Sequence, residues 1–138
     1  MRLRYAGVIV AALFCVALSG CGSGSNVTAG SGLHGSYSGT YLMVEGAANE
    51  AGTLNLTIGS DGSLAGTLVD GVSGLTGTIA GTVLDNRQCT ATIVYPTRTV
   101  TASGTLAMSD TDRLVGVLNQ RDGTGAGAGS FSIDCVPN

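Results

Sequence analysis

Apolar and polar residues alternate with a period of two from Tyr37 onward, the pattern of strands with one buried and one solvated face. Leu54, Leu56 and Ile58, for example, are separated by Asn55 and Thr57. Turn-forming groups such as Ser60-Asp61-Gly62 and Asp122-Gly123 interrupt the pattern every eight to twelve residues or so. The pattern predicts an all-β fold of about eight short strands, at 36–45, 52–59, 63–69, 75–84, 88–95, 98–109, 112–120 and 128–136.

Glycines recur in the middle of these strands, in the same register as the large apolar residues. The set comprises Gly39, Gly66, Gly81, Gly104 and Gly116. A glycine inside a strand allows a sharp bend or a close approach of neighbouring backbones. We therefore expect an antiparallel up-and-down meander that closes into a small barrel, because closure also removes exposed strand edges. A two-sheet β-sandwich is the alternative.

An eight-stranded barrel is just wide enough either to be filled by side chains or to hold one small ligand. The predicted inward positions would form a solid core or would line a cavity for a small apolar ligand. They are Tyr41, Met43, Leu56, Leu68, Ile79, Ile93, Leu106, Leu118 and Phe131. The architecture resembles that of lipocalins, with Gly35-Ser36-Tyr37-Ser38-Gly39 opening the first strand, and the resemblance extends no further along the sequence.

The first twenty residues have the composition of an export signal. Arg2 and Arg4 precede a nearly unbroken apolar run over 5–18, which is shorter than the roughly 20 residues of a membrane-spanning helix. The run ends in Leu18-Ser19-Gly20-Cys21, which resembles the lipobox of bacterial lipoproteins. The alternative is an ordinary secreted protein cleaved near Gly20.

The lipoprotein resemblance implies a signal peptide at 1–20 that is removed and a lipid attached to the Cys21 thiol. Two or more acyl chains hold a protein firmly in a membrane. The resemblance also implies that Gly22, which is not an aspartate, directs the protein to the outer membrane, facing the periplasm. The Gly/Ser-rich stretch 21–35 is then predicted to act as a tether, and 36–138 as the folded domain.

Composition restricts the classes of partner. The 138 residues include six Lys+Arg and nine Asp+Glu; without Arg2 and Arg4 the balance is four against nine, a net charge of −5. Nucleic acid is therefore excluded as a partner, whereas a basic protein would be attracted.

Cys89 and Cys135 are the two cysteines outside the signal and the lipidation motif. In a meander the start of the fifth strand and the end of the eighth lie at the same end of the barrel. Because an exported protein experiences an oxidising compartment, we predict a disulfide between them, with two free thiols as the alternative.

Residues for catalysis are scarce. The only histidine, His34, lies between the tether and the first strand, and neither Glu45 nor Glu50 belongs to a recognisable catalytic pair. We therefore predict no catalytic residue, no metal and no cofactor.

The first functional hypothesis is a lipid-anchored, non-catalytic binding module of the cell envelope. The second is an inhibitor of a basic hydrolase, because lipobox, small barrel and acidic surface together are similar to bacterial lysozyme-inhibitor lipoproteins. The third is a purely structural envelope protein.

Overall fold

Eight antiparallel strands form a closed barrel in the order of the chain. A computed structural model describes residues 33–123 and 128–138; the predicted signal peptide, Cys21 and most of the predicted tether lie outside this range. The strands are β1 (Gly35–Glu45), β2 (Ala48–Ile58), β3 (Ser63–Asp70), β4 (Thr76–Val83), β5 (Gln88–Val94), β6 (Thr99–Met108), β7 (Leu114–Asp122) and β8 (Ala128–Pro137). The all-β fold and the barrel are confirmed, and the sandwich is not formed.

Pairing between β8 and β1 closes the wall. Each strand pairs with its successor, and Gly39 of β1 lies opposite both Leu54 of β2 and Cys135 of β8. Every strand therefore has a hydrogen-bonded neighbour on both sides, and the sheet has no free edge at which another strand could add.

The largest difference from the prediction is the start of β2, which begins at Ala48 instead of residue 52. Gly46 has a φ of 59°, so the first hairpin turns within two residues and pairing resumes at once. The polar residues at the start of β2 are typical of a loop, yet Glu50 pairs with Met43 on β1. Its side chain has partners that only the folded barrel brings close to it.

Apolar residues fill the barrel and threonines cover its outer wall. Leu54, Leu56 and Ile58 are at most 4% exposed, whereas the intervening Asn55 and Thr57 are exposed. Separately, the described residues include no helix with the length and hydropathy to cross a membrane.

Inward glycines sit where neighbouring backbones come too close for a side chain. A Cβ atom at Gly39 would lie 2.1 Å from the carbonyl oxygen of Asp134, at the β1–β8 seam. A Cβ atom at Gly81 would lie 2.1 Å from the carbonyl oxygen of Thr90 on β5. Real Cβ atoms do not approach oxygen this closely, so the tight curvature of the wall depends on glycine at these positions.

The two ends of the barrel differ in chemistry. At the near end, where β1 begins and β8 finishes, Leu33 is fully buried and its carbonyl accepts a hydrogen bond from the Tyr37 hydroxyl at 2.9 Å. At the far end, where the β1–β2 hairpin turns, charged side chains lie over the core. The charged side chains that form ion pairs at the far end are therefore more deeply buried than the Arg113–Asp134 pair at the near end.

We predict that Gly39→Ala lowers the free energy of unfolding by about 1–3 kcal/mol, because the added methyl group displaces β8 from β1. Gly123→Ala is the matched control, since a Cβ there would meet its nearest neighbour, the Thr99 carbonyl oxygen, at an ordinary 3.4 Å. Urea denaturation of both variants measures the difference. Equal unfolding midpoints for the two would contradict the role given to Gly39.

Candidate functional site

A cluster of charged side chains lies at the far end, centred on Arg98. Arg98 immediately precedes β6, while Glu45 ends β1 and Glu50 lies near the start of β2. The guanidinium donates from Nη1 to Glu45 Oε2 at 3.0 Å and from Nη2 to Glu50 Oε2 at 2.6 Å. One cation thus joins the two strands of the first hairpin to β6.

Glu50 is the most highly coordinated member of this cluster. Its Oε1 accepts hydrogen bonds from the hydroxyls of Tyr41 at 2.8 Å and Tyr95 at 2.5 Å. Burial, and then the hydrogen bond to Glu50, raise the pKa of both tyrosines. Both hydroxyls therefore remain protonated donors across the physiological range, and the Glu50 carboxylate is held in one orientation.

A cleft of about 280 Å³ opens beside the cluster. Met43 forms part of its lining, and its charged lining residues are Glu45, Glu50, Asp70 and Arg98, a net charge of −2. A hydrogen bond from Ser73, with further help from the Val72 backbone N–H, lowers the pKa of the Asp70 carboxyl, so Asp70 is ionised at neutral pH. The cleft thus suits a cationic group.

An apolar residue projects beside this cleft. Val72, in the connection between β3 and β4, is 92% exposed. The Asp70 carboxylate accepts hydrogen bonds from the backbone N–H groups of Val72 and Ser73, which orders this connection. The far end therefore presents an ordered apolar tip next to an acidic cleft.

Of the residues in the cluster and the cleft, the sequence predicted only Tyr41 and Met43 in a site, and there as possible lining of an interior cavity. In the sequence, Glu45 and Glu50 form no recognisable catalytic pair, and Arg98 belongs to no motif. The sequence signal that could have identified Glu50 is its position in β2. Once the strand is extended to Ala48, Glu50 faces inward, as Gly52, Leu54 and Leu56 do. A carboxylate in an inward register requires donors, and Tyr41, Tyr95 and Arg98 supply them.

The interior of the barrel is filled. All nine residues predicted to face inward are between 0% and 5% exposed and belong to one core cluster. The void among the described core residues measures only about 20 Å³, little more than one water molecule occupies. The residues predicted as a cavity lining therefore form a core, and the lipocalin-like cavity does not exist in this part of the chain.

The predicted disulfide is not formed: Cys89 and Cys135 are both free, buried thiols. They do lie at the same end of the barrel, but β5 and β8 are three strands apart around the wall, or about 14 Å at the usual strand spacing. The residue of β8 that lies level with Cys89, reached through the paired residues Gly104 and Leu118, is Phe131 and not Cys135. Since a disulfide requires Cα atoms within about 7 Å, thiols on nearly opposite walls cannot join.

The remaining predicted positions lie apart from the cluster. Cys21 and the predicted signal peptide lie outside the described residues, and His34 is exposed at the near end. Among the described residues, no three His, Cys, Asp or Glu side chains are placed to hold a metal ion.

Comparison of the chain with protein-family models, with curated proteins and with solved structures finds no match.

We predict that both thiols react slowly with an aromatic disulfide reagent in the native protein and rapidly in denaturant. Burial raises the pKa of Cys89 to about 11, and burial together with Asp134 raises that of Cys135 to about 11. An unfolded thiol ionises near pH 8.5. The unfolded state therefore releases protons that the folded state retains, and the free energy of unfolding falls between about pH 8.5 and 11, by up to about 1.4 kcal/mol per pH unit for each thiol.

Urea unfolding over this pH range checks the second part of the prediction. The double variant Cys89→Ala/Cys135→Ala should show a smaller decline, with the remainder due to tyrosines. Fast labelling of the native protein would contradict the burial of the thiols. Finding no free thiols after denaturation without a reducing agent would contradict their being free.

Proposed function

We propose that this protein is a lipid-anchored, non-catalytic binding module of the cell envelope, held at Cys21 in the outer membrane and facing the periplasm. The Leu18-Ser19-Gly20-Cys21 sequence supports the anchor. The observation that carries the proposal is the position of the cleft. The chain enters the barrel at the near end, while the cleft opens at the far end. A protein anchored at Cys21 through the tether would present the cleft away from the membrane.

The packed interior favours binding at the surface over carriage of a ligand inside the barrel. A void of about 20 Å³ among the described core residues has no room for an apolar ligand, and opening it would disrupt the core. The far end, by contrast, combines a cleft of about 280 Å³ with a rigid hydrogen-bonded frame. A preorganised surface of this kind loses little conformational entropy on binding.

A second candidate function, inhibition of a basic hydrolase, is favoured by the chemistry of the cleft. Its net charge of −2 would attract a lysine or arginine side chain of the partner. The exposed Val72 beside it provides an apolar contact that could enter a groove of the partner. Under this hypothesis the far end docks onto the basic enzyme while the lipid holds the complex at the membrane.

For the anchor, we predict that Cys21→Ala transfers the protein from the membrane fraction to the soluble fraction of its host, because the thiol that carries the lipid is removed. Fractionation followed by intact-mass measurement checks both location and acylation. Membrane retention of the variant, or a wild-type mass without acyl chains, would contradict the anchor while leaving the cleft untouched.

For the cleft, we predict that immobilised barrel domain retains lysozyme at low salt and releases it at high salt, since the attraction is screened. Glu45→Gln should weaken this affinity about two- to fivefold, the effect of one partly exposed charge. Asp110→Asn removes an equal charge from the turn between β6 and β7 at the near end and should leave the affinity unchanged. Equal losses in the two variants, or no retention at low salt, would contradict a basic partner at the cleft.

A further inference from the structure

Four of the eight large apolar side chains that are exposed among the described residues lie at one corner of the far end. Val69 and Leu75 flank the connection between β3 and β4, Val72 projects from that connection, and Val94 ends β5. The other four are scattered over β1, β7, β8 and the turn after β4. Single exposed apolar residues are ordinary, whereas a cluster of them marks an interaction surface. Together, Val69, Val72, Leu75 and Val94 are called the apolar patch.

An ordered loop holds Val72 out in the solvent. In addition to the hydrogen bonds that the Asp70 carboxylate accepts, the N–H of Gly74 donates to the Asp70 carbonyl at 2.9 Å. The N–H of Asp70 donates to the Leu75 carbonyl at 2.9 Å, and the N–H of Leu75 donates to the Ser73 hydroxyl at 3.2 Å. A loop fixed in this way loses little conformational entropy when a partner covers its apolar side chain.

The wall between the members of the patch is uncharged. The outward-facing residues of β3, β4 and β5 carry no charge within these three strands, and Thr78 of β4 pairs directly with Val94. The strands β3 and β5 are two positions apart, or about 10 Å at the usual strand spacing. A partner therefore meets an uncharged surface wide enough for several of its side chains.

The acidic cleft adjoins the apolar patch, because Val72 belongs to both. Asp70, which follows Val69 in β3, supplies one carboxylate of the cleft, and Glu45 and Glu50 supply the others. At about 280 Å³, the cleft is smaller than the pockets of roughly 300–1,000 Å³ that enclose a whole small molecule. Its size suits one basic side chain of a larger partner whose remaining contacts lie on the patch.

We propose that the far end binds a cationic amphipathic peptide segment, whose apolar side chains cover the patch and whose lysine or arginine enters the cleft. This rests on the binding module proposed above and names the chemistry of its partner. Charge complementarity selects a basic partner, since the cleft has a net charge of −2. The uncharged wall beside it selects apolar side chains that are separated in space from the basic ones.

Two other occupants of an apolar surface are disfavoured by the same charge. A membrane with anionic headgroups would repel the acidic cleft as the patch approached it. A second copy of the chain, docked patch to patch, would bring two clefts of net charge −2 close together. A cationic amphipathic segment satisfies both the patch and the cleft.

The test is a calorimetric titration of the Cys21→Ala protein, purified from its host, with a short amphipathic peptide of leucine and lysine. We expect saturable binding that weakens as salt is added, with the largest amide chemical shift changes at 69–75 and at Val94. A scrambled peptide of the same composition should bind more weakly, because its apolar and basic side chains are not segregated. A leucine–glutamate peptide should also bind more weakly, because the cleft repels it.

Variants locate the contact. Val72→Ser should reduce the affinity for the leucine–lysine peptide about tenfold, the loss expected for one valine that is buried on binding. Val117→Ser is the matched control, because Val117 is exposed on β7 outside the patch, and it should leave the affinity unchanged. Glu45→Gln should reduce the affinity about two- to fivefold, as for one partly exposed charge.

The proposal is overturned if the leucine–lysine peptide does not saturate, if the scrambled or the leucine–glutamate peptide binds as tightly, or if Val72→Ser and Val117→Ser weaken binding equally. Co-sedimentation with phosphatidylglycerol vesicles, or dimerisation that Val72→Ser abolishes, would also overturn it, because the patch would then belong to a membrane or to a second copy.

Failure of this proposal is distinguishable from failure of the binding module. Retention of lysozyme that Glu45→Gln weakens, without binding of the leucine–lysine peptide, would leave the cleft as a binding site and contradict only the amphipathic partner. Absence of both lysozyme retention and peptide binding would contradict the two proposals together.

Discussion

The structure depends on the absence of side chains where adjacent strands approach most closely. At the seam between β1 and β8, a Cβ on Gly39 would collide with the backbone of Asp134 and Cys135. Closure is what gives all eight strands two neighbours, so this contact underlies both the hydrogen bonding of the sheet and the burial of the core. Glycine at such positions lowers local strand propensity, and the closed, packed barrel offsets that cost.

A filled interior has a direct consequence for function. Leucine, isoleucine and aromatic side chains occupy the barrel almost completely, so the described interior has no room for a ligand. The far-end cleft is acidic and framed by Glu50 with its tyrosine and arginine partners. Its net negative charge makes this cleft suited to a cationic group.

Local patterns predicted the strands well because alternation and turn chemistry act over a few residues. The cluster around Arg98 was not predicted, since Tyr41, Glu50, Tyr95 and Arg98 come from four parts of the chain that only closure brings together. The disulfide prediction was wrong for a related reason. Strand direction alone places Cys89 and Cys135 at one end of the barrel. It does not show that their strands, three positions apart in the closed sheet, lie on nearly opposite walls.

The sequence by itself determined the all-β class, the eight strands, the inward parity of the core residues and the glycines that permit closure. These features depend on near neighbours along the chain, where period and turn propensity are sufficient. Only the tertiary structure decided that the interior is solid, that the thiols stay apart, and that charged residues distant in sequence converge on Arg98. Those outcomes depend on side-chain volume summed across the barrel and on position around its circumference, and no local pattern encodes either quantity.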